Sequence, residues 1–153
     1  MRTVKGDIVK LAEEGEFDVI VHGCNCFHSM GAGVAKQIAY RWPNALKSDK
    51  STIYGCTSKL GSFSVATCYD CNDISFFVVN AYTQFLYGSS GRKVNYESIA
   101  KCFEGIRDAY HPATRIAYPQ IGCGLAGGNW NIVKTIIDET LKGRDHVYVE
   151  YDG

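Results

Sequence analysis

Six short stretches carry apolar residues either in alternation with polar ones or as unbroken runs: Arg2-Thr3-Val4-Lys5, Asp18 to His22, Ser62 to Ala66, Ile74 to Asn80, Arg115 to Tyr118, and His146 to Tyr151. Their β-branched and aromatic content and period of two predict strands. Between them the spacing changes to about 3.6 residues, as in Val34, Ile38 and Trp42, in Tyr96, Ile99, Ala100, Phe103, Ile106 and Tyr110, and in Ile132, Val133, Ile136, Ile137, Thr140 and Leu141. Three helices follow, the last closed by Gly143 after Lys142. Tyr69-Asp70-Cys71-Asn72-Asp73 reads as a hairpin turn, so Ser62 to Asn80 makes the sheet mixed. Strands alternating with helices predict an α/β protein of three layers, α/β/α, around a mixed, largely parallel sheet of about six strands.

The chain of 153 residues fits one domain over 1–153. Sixteen Lys and Arg against sixteen Asp and Glu, with 46% hydrophobic residues, argue against disorder and against a basic nucleic-acid-binding face. Arg92-Lys93 is the place where a local basic patch would sit. No apolar run reaches the roughly 18–20 residues of a membrane span, and the start lacks the apolar core of a signal peptide, so the expectation is a cytoplasmic protein. A monomer is the expected state.

Seven cysteines, an odd number, are read as reduced thiols in such a compartment. His22-x-Cys24-x-Cys26-x-His28 and Cys68-x-x-Cys71 offer zinc-type ligands, whereas the simpler reading makes most of them buried small hydrophobes. The expectation is that no metal or other cofactor is required.

Two glycine-rich turns follow apolar strands and precede helices: Met30-Gly31-Ala32-Gly33-Val34-Ala35 and Ile121-Gly122-Cys123-Gly124-Leu125-Ala126-Gly127-Gly128. Glycine lets a backbone approach an anion closely, and a helix N-terminus favours negative charge, so two such loops suggest a diphosphate. Other phosphate motifs fail. No Gly-Lys dipeptide exists for a P-loop, and Lys36 stands where a dinucleotide fingerprint needs its third glycine. Neither Cys26 nor Cys123 is followed in its loop by the arginine of a thiolate phosphatase, and His-Glu-x-x-His is absent.

Gly6-Asp7-Ile8, His22-Gly23-Cys24-Asn25-Cys26 leading into the first glycine turn, and Pro119-Gln120-Ile121 leading into the second resemble the macro domain family in order and spacing, over nearly the whole chain. Within it the chain is most similar to the small phage-type and yeast-type ADP-ribose-1''-phosphate phosphatases. The resemblance implies ADP-ribose or ADP-ribose-1''-phosphate as ligand. Asp7 then accepts from the adenine amino group with Ile8 beside it, and Asn25 meets the distal ribose. Gly31, Ala32, Gly33 and Val34 form the first ligand loop, and Ile121, Gly122, Cys123, Gly124, Leu125 and Ala126 the second. Tyr151 covers the adenine. His22, Asn25 and His28 are the catalytic candidates, the imidazoles because their ordinary pKa lies near neutrality.

Each residue also has a structural reading: Asp7 as a helix cap, Asn25 as a turn residue, His22 as a satisfied buried histidine, Tyr151 as cover for the sheet edge. Ala126 stands where ADP-ribosyl-glutamate hydrolases of the family place an aspartate, no matching lysine nucleophile is evident, and Ala35-Lys36 replaces the loop-one aspartate of another branch. These departures leave phosphate-monoester hydrolysis and plain ADP-ribose binding as the rivals, with ADP-ribosyl hydrolysis behind them.

Overall fold

The computed structural model describes residues 1–87, 94–123 and 126–153. Its sheet is built from β1 (Arg2–Gly6), β2 (Val19–Cys24), β3 (Phe63–Tyr69), β4 (Ser75–Tyr82), β5 (Ile116–Tyr118) and β6 (His146–Tyr151). Their spatial order is β1-β6-β5-β2-β4-β3, parallel throughout except for the β3–β4 hairpin. The helices are α1 (Ile8–Glu13), α2 (Gly33–Arg41), α3 (Pro43–Lys50), α4 (Tyr96–Ala109) and α5 (Trp130–Thr140), with one 3-10 turn at Thr57–Lys59.

Strand alternation sorts the buried residues into two cores. Val19, Val21, Val79 and Ala81 point to Ile99, Phe103, Val133 and Ile137 of α4 and α5. Ile20, Val78 and Ala117 point the other way, to Ala12, Ile38 and Ala45 of α1, α2 and α3. One sheet with a helical layer on each face is the expected three-layer architecture.

The structure adds two helices that the periodicity does not announce. Helix α1 is a single capped segment of six residues, too short to show a period. The Val34, Ile38, Trp42 stripe was expected to lie on one helix, but α2 stops at Arg41 and α3 starts at Pro43. Proline keeps the residue before it out of the helical region, and Trp42 accordingly sits at φ −129°, ψ 86°. Its ring still enters the core, edge-on to Phe76 at 5.0 Å. Strands β2 and β4 both run two residues beyond their expected ends, because His22, Gly23 and Cys24 pair with Asn80, Ala81 and Tyr82.

This extension positions the site. Strand β2 pairs with β5 only at Val19 and Ile20, so the two strands part company above that level. The chain leaves β2 for the α1–α3 layer and β5 for the α4–α5 layer, and the divergence opens a crevice at the carboxyl ends of the strands.

Candidate ligand cleft

The crevice is a groove of about 810 Å³. Its walls are Asn25 and Gly31–Val34 after β2, Gln84 and Tyr87 after β4, Ile121, Gly122 and Ala126 after β5, and Tyr148–Tyr151 on β6. A side pocket of about 210 Å³, reached past Gly33, Val34, Pro119 and Tyr151, adds Asp7, Ile8 and Gln37.

The first glycine turn delivers the start of α2 to the groove. Gly33 has φ +58°, which glycine adopts without the penalty other residues meet. Ala32 is the residue before the first helical turn, and its methyl offers no capping oxygen. The amides of that turn are thus left for a ligand, with the helix dipole behind them. The second loop differs. Its helix α5 is capped by Asn129, whose Oδ1 accepts from the Asn131 amide at 2.9 Å. It therefore does not give a second open helix terminus, contrary to the sequence expectation for both loops. What it gives is a folded-back backbone, closed by Gly128 N–H donating to the Gly122 carbonyl at 2.6 Å. Gly122 is at φ +74°, and a Cβ there would lie 2.6 Å from Val94.

Among the ligand candidates, Asp7 caps α1, Oδ1 accepting from the amides of Val9 at 2.9 Å and Lys10 at 3.3 Å. No described residue bonds its Oδ2, which leaves that oxygen for a donor in the side pocket. Ile8 is buried beside it. Tyr151 is 64% exposed and lies between groove and side pocket. Asn25 shapes its own loop, Nδ2 donating to the Ser29 carbonyl at 2.9 Å and Oδ1 accepting from the Phe27 amide at 2.8 Å. An amide retains one further N–H and one further lone pair for a ligand. Cys123 does not line the groove; its Sγ donates to the Ile121 carbonyl at 3.3 Å, and burial pushes its thiol up. Gly124 and Leu125 lie outside the described residues, as do Arg92 and Lys93.

The structure separates the two histidines: His22 lines the groove and His28 does not. His22 is 2% exposed. Asn80 donates through Nδ2 to the Ala45 carbonyl at 3.0 Å and the Ser64 hydroxyl at 3.1 Å, so its Oδ1 accepts from His22 Nε2–H at 2.6 Å. That fixes the tautomer and leaves Nδ1 3.7 Å from the Cys24 thiol. Burial holds the imidazole pKa below its ordinary value, with the Asn80 bond opposing. His22 is thus brought to the floor of the groove, with its ring buried and bonded to Asn80. His28 points away from the groove: its Nε2 bonds the Thr52 carbonyl at 2.8 Å, and its ring meets Tyr54 edge-on. The reason is its own backbone, at φ +56°, which swings the side chain outward.

Behind His22 the polar chain continues. Ser64 meets the Tyr82 hydroxyl at 2.9 Å, and that hydroxyl donates to Asp49 Oδ1 at 2.8 Å. Lys59 lies over the Tyr82 ring and reaches the Cys26 carbonyl at 3.5 Å. Burial raises the thiols of Cys24 and Cys102, the latter to about 12, which favours the protonated form of both. Among the described residues no group of three His, Cys, Asp or Glu side chains is arranged to hold a metal.

Gln84, Tyr87, Tyr148 and Glu150 line the groove without having been singled out from the sequence. Gln84 and Tyr87 belong to no motif, and their one signal is their place just past the end of β4. Glu150 is the only charged residue among the described lining, which holds no Lys or Arg.

Comparison with known proteins gives a match to the Macro domain family model over residues 21–137. The chain is 36% identical to a 17.5 kDa protein from the tk-vs intergenic region of Enterobacteria phage T4, covering 99% of this chain and 97% of that protein. It is 27% identical to the ADP-ribose 1''-phosphate phosphatase of Saccharomyces cerevisiae, over 89% of this chain and 90% of that one. Its fold matches Thermosipho africanus DarTG, solved in complex with ADP-ribose, with a TM-score of 0.74 at 17% identity, over 99% of this chain and 42% of that one.

Proposed function

Because this chain belongs to the macro domain family, we propose that its cleft binds ADP-ribose, on the strength of the uncapped N-terminus of α2 that opens into it. The diphosphate lies against the amides of Gly33, Val34 and Ala35, where the dipole and unpaired donors favour an anion without any cationic side chain. The adenine enters the side pocket, its amino group donating to Asp7 Oδ2, with Tyr151 alongside. The distal ribose then reaches Asn25, whose spare amide hydrogen and lone pair suit a pair of hydroxyls.

A second reading, hydrolysis of ADP-ribose-1''-phosphate, is favoured by the likeness to the yeast phosphatase. In it Asn25 and the loop amides hold the leaving phosphate, and His22 shapes the floor beneath them rather than exchanging protons.

Calorimetry separates the roles of Asp7. Asp7→Ser keeps a capping oxygen, so thermal stability changes by a few tenths of a kcal/mol. Losing a charge-assisted bond to the adenine lowers ADP-ribose affinity about tenfold. Unchanged affinity would reject the adenine assignment, and no binding to the wild-type chain would reject the function. Phosphate release from ADP-ribose-1''-phosphate in the presence of chelator, abolished in Asn25→Ala, decides the second reading.

A further inference from the structure

Beyond Asn25 the groove runs out onto a patch of aromatic rings. Phe27 stands at its centre, edge-on to Tyr54 at 5.3 Å, Phe85 at 4.9 Å and Tyr87 at 6.2 Å between centroids. Tyr54 and Tyr87 are 65% and 60% exposed. Two large rings left in water are not required by the core beneath them, where Phe27 and Phe85 already cover Cys26 and Tyr82. Tyr87 belongs to both features: it lines the groove and touches Phe27, which makes the patch a continuation of the groove.

The chemistry of this end is uniform. Among the described residues its polar groups are the amides of Asn25 and Gln84 and the Ser29 hydroxyl, all uncharged. A tyrosine face carries the negative side of the ring quadrupole, so it attracts the face or edge of an electron-poor ring and repels an anion.

We propose that the group carried on the distal sugar of the bound nucleotide is a flat nitrogen heterocycle that packs on Tyr87, with Tyr54 standing further out in the same patch. This rests on the ADP-ribose reading of the cleft and names the class of its ligand's outer substituent. A phosphate in the same place would face the tyrosine rings, whose negative faces repel it.

The test is calorimetric titration of the wild-type chain with ADP-ribose, NAD+, which bears a pyridinium ring on the distal sugar, and ADP-ribose-1''-phosphate. NAD+ is expected to bind more tightly than either of the others. Stacking on one aromatic side chain is worth roughly tenfold or more, so the preference for NAD+ over ADP-ribose falls about tenfold in Tyr87→Ala. It falls less in Tyr87→Leu, which keeps apolar area, and stays unchanged in Tyr40→Ala, a ring 90% exposed on α2 outside the patch. NAD+ binding no tighter than ADP-ribose, tighter binding of the 1''-phosphate, or a preference unmoved in both Tyr87 variants overturns the inference while the cleft assignment stands. Absence of ADP-ribose binding overturns the cleft assignment, and the inference with it.

Discussion

The two glycine-rich loops look alike in the sequence and do different work in the fold. In the loop after β2, Gly33 is at φ +58° with no atom within 4 Å of the position a Cβ would take. Glycine is there for conformation alone, and the helix that follows is left uncapped. In the loop after β5, Gly128 has the Gly122 carbonyl oxygen 2.5 Å from its would-be Cβ and Val94 2.7 Å away. Glycine is there for room, and the helix that follows is capped by Asn129. A ligand loop is thus built once by leaving backbone groups unsatisfied and once by packing backbone onto backbone. Open amides after the first loop favour an anion, and the described residues of the second form one wall of the groove.

Substitution of the glycines separates these roles most strongly. Gly128→Ala forces backbone apart and is expected to cost about 3 kcal/mol, whereas Gly33→Ala meets only the left-handed penalty of about 1–2 kcal/mol. Thermal melts of the two variants check the order, and equal losses would mean that the loops are held in the same way. Next comes the cap. Ala32→Asp supplies the oxygen that α2 lacks, stabilising the fold by about 1 kcal/mol, while its charge occupies the anion position and lowers ADP-ribose affinity at least tenfold. Opposite signs in the melt and the titration are the signature. A variant that gains stability and still binds would put the diphosphate elsewhere.

The smallest effect is on pH dependence and concerns the floor beneath the first loop. Burial lowers the pKa of His22 and of His146, which bonds the Tyr118 hydroxyl below the far end of the sheet. The unfolded chain therefore takes up more protons than the folded one once the pH drops below about 6.5. Stability is complete above that value and declines on acidification, and His22→Gln should flatten the decline. A melting temperature level from pH 7 to 5 would show that the imidazoles are accessible.

The layers of the fold were legible because burial imposes a period on sequence. All six strands and the long helices α4 and α5 carry that period, and the hairpin at Asp70 carries its turn residues. Helix α1 was not, since six residues behind an Asp cap leave too few turns to count. The lining of the candidate groove was legible where it depends on contiguous backbone, as in Gly31–Val34 after β2 and at Asp7 in the side pocket. It was not legible where it depends on which way a side chain points. His22 and His28 share a segment with Asn25, yet His22 ends on the groove floor bonded to Asn80, and His28, at a left-handed backbone position, bonds Thr52 outside the groove. Gln84 and Tyr87 reach the groove only because β4 lies beside β2, a neighbour relation that no local pattern contains.

Strand β1 has a single neighbour, β6, with Gly6 aligned to Tyr151. As the chain leaves the ribosome, β1 waits without a partner until the last strand emerges, and the pocket that holds Asp7 and Tyr151 is assembled in the final step. On the proposed ADP-ribose reading of the cleft, nucleotide capture is then a late event in folding, and ADP-ribose present during refolding is expected to stabilise the product without speeding its formation.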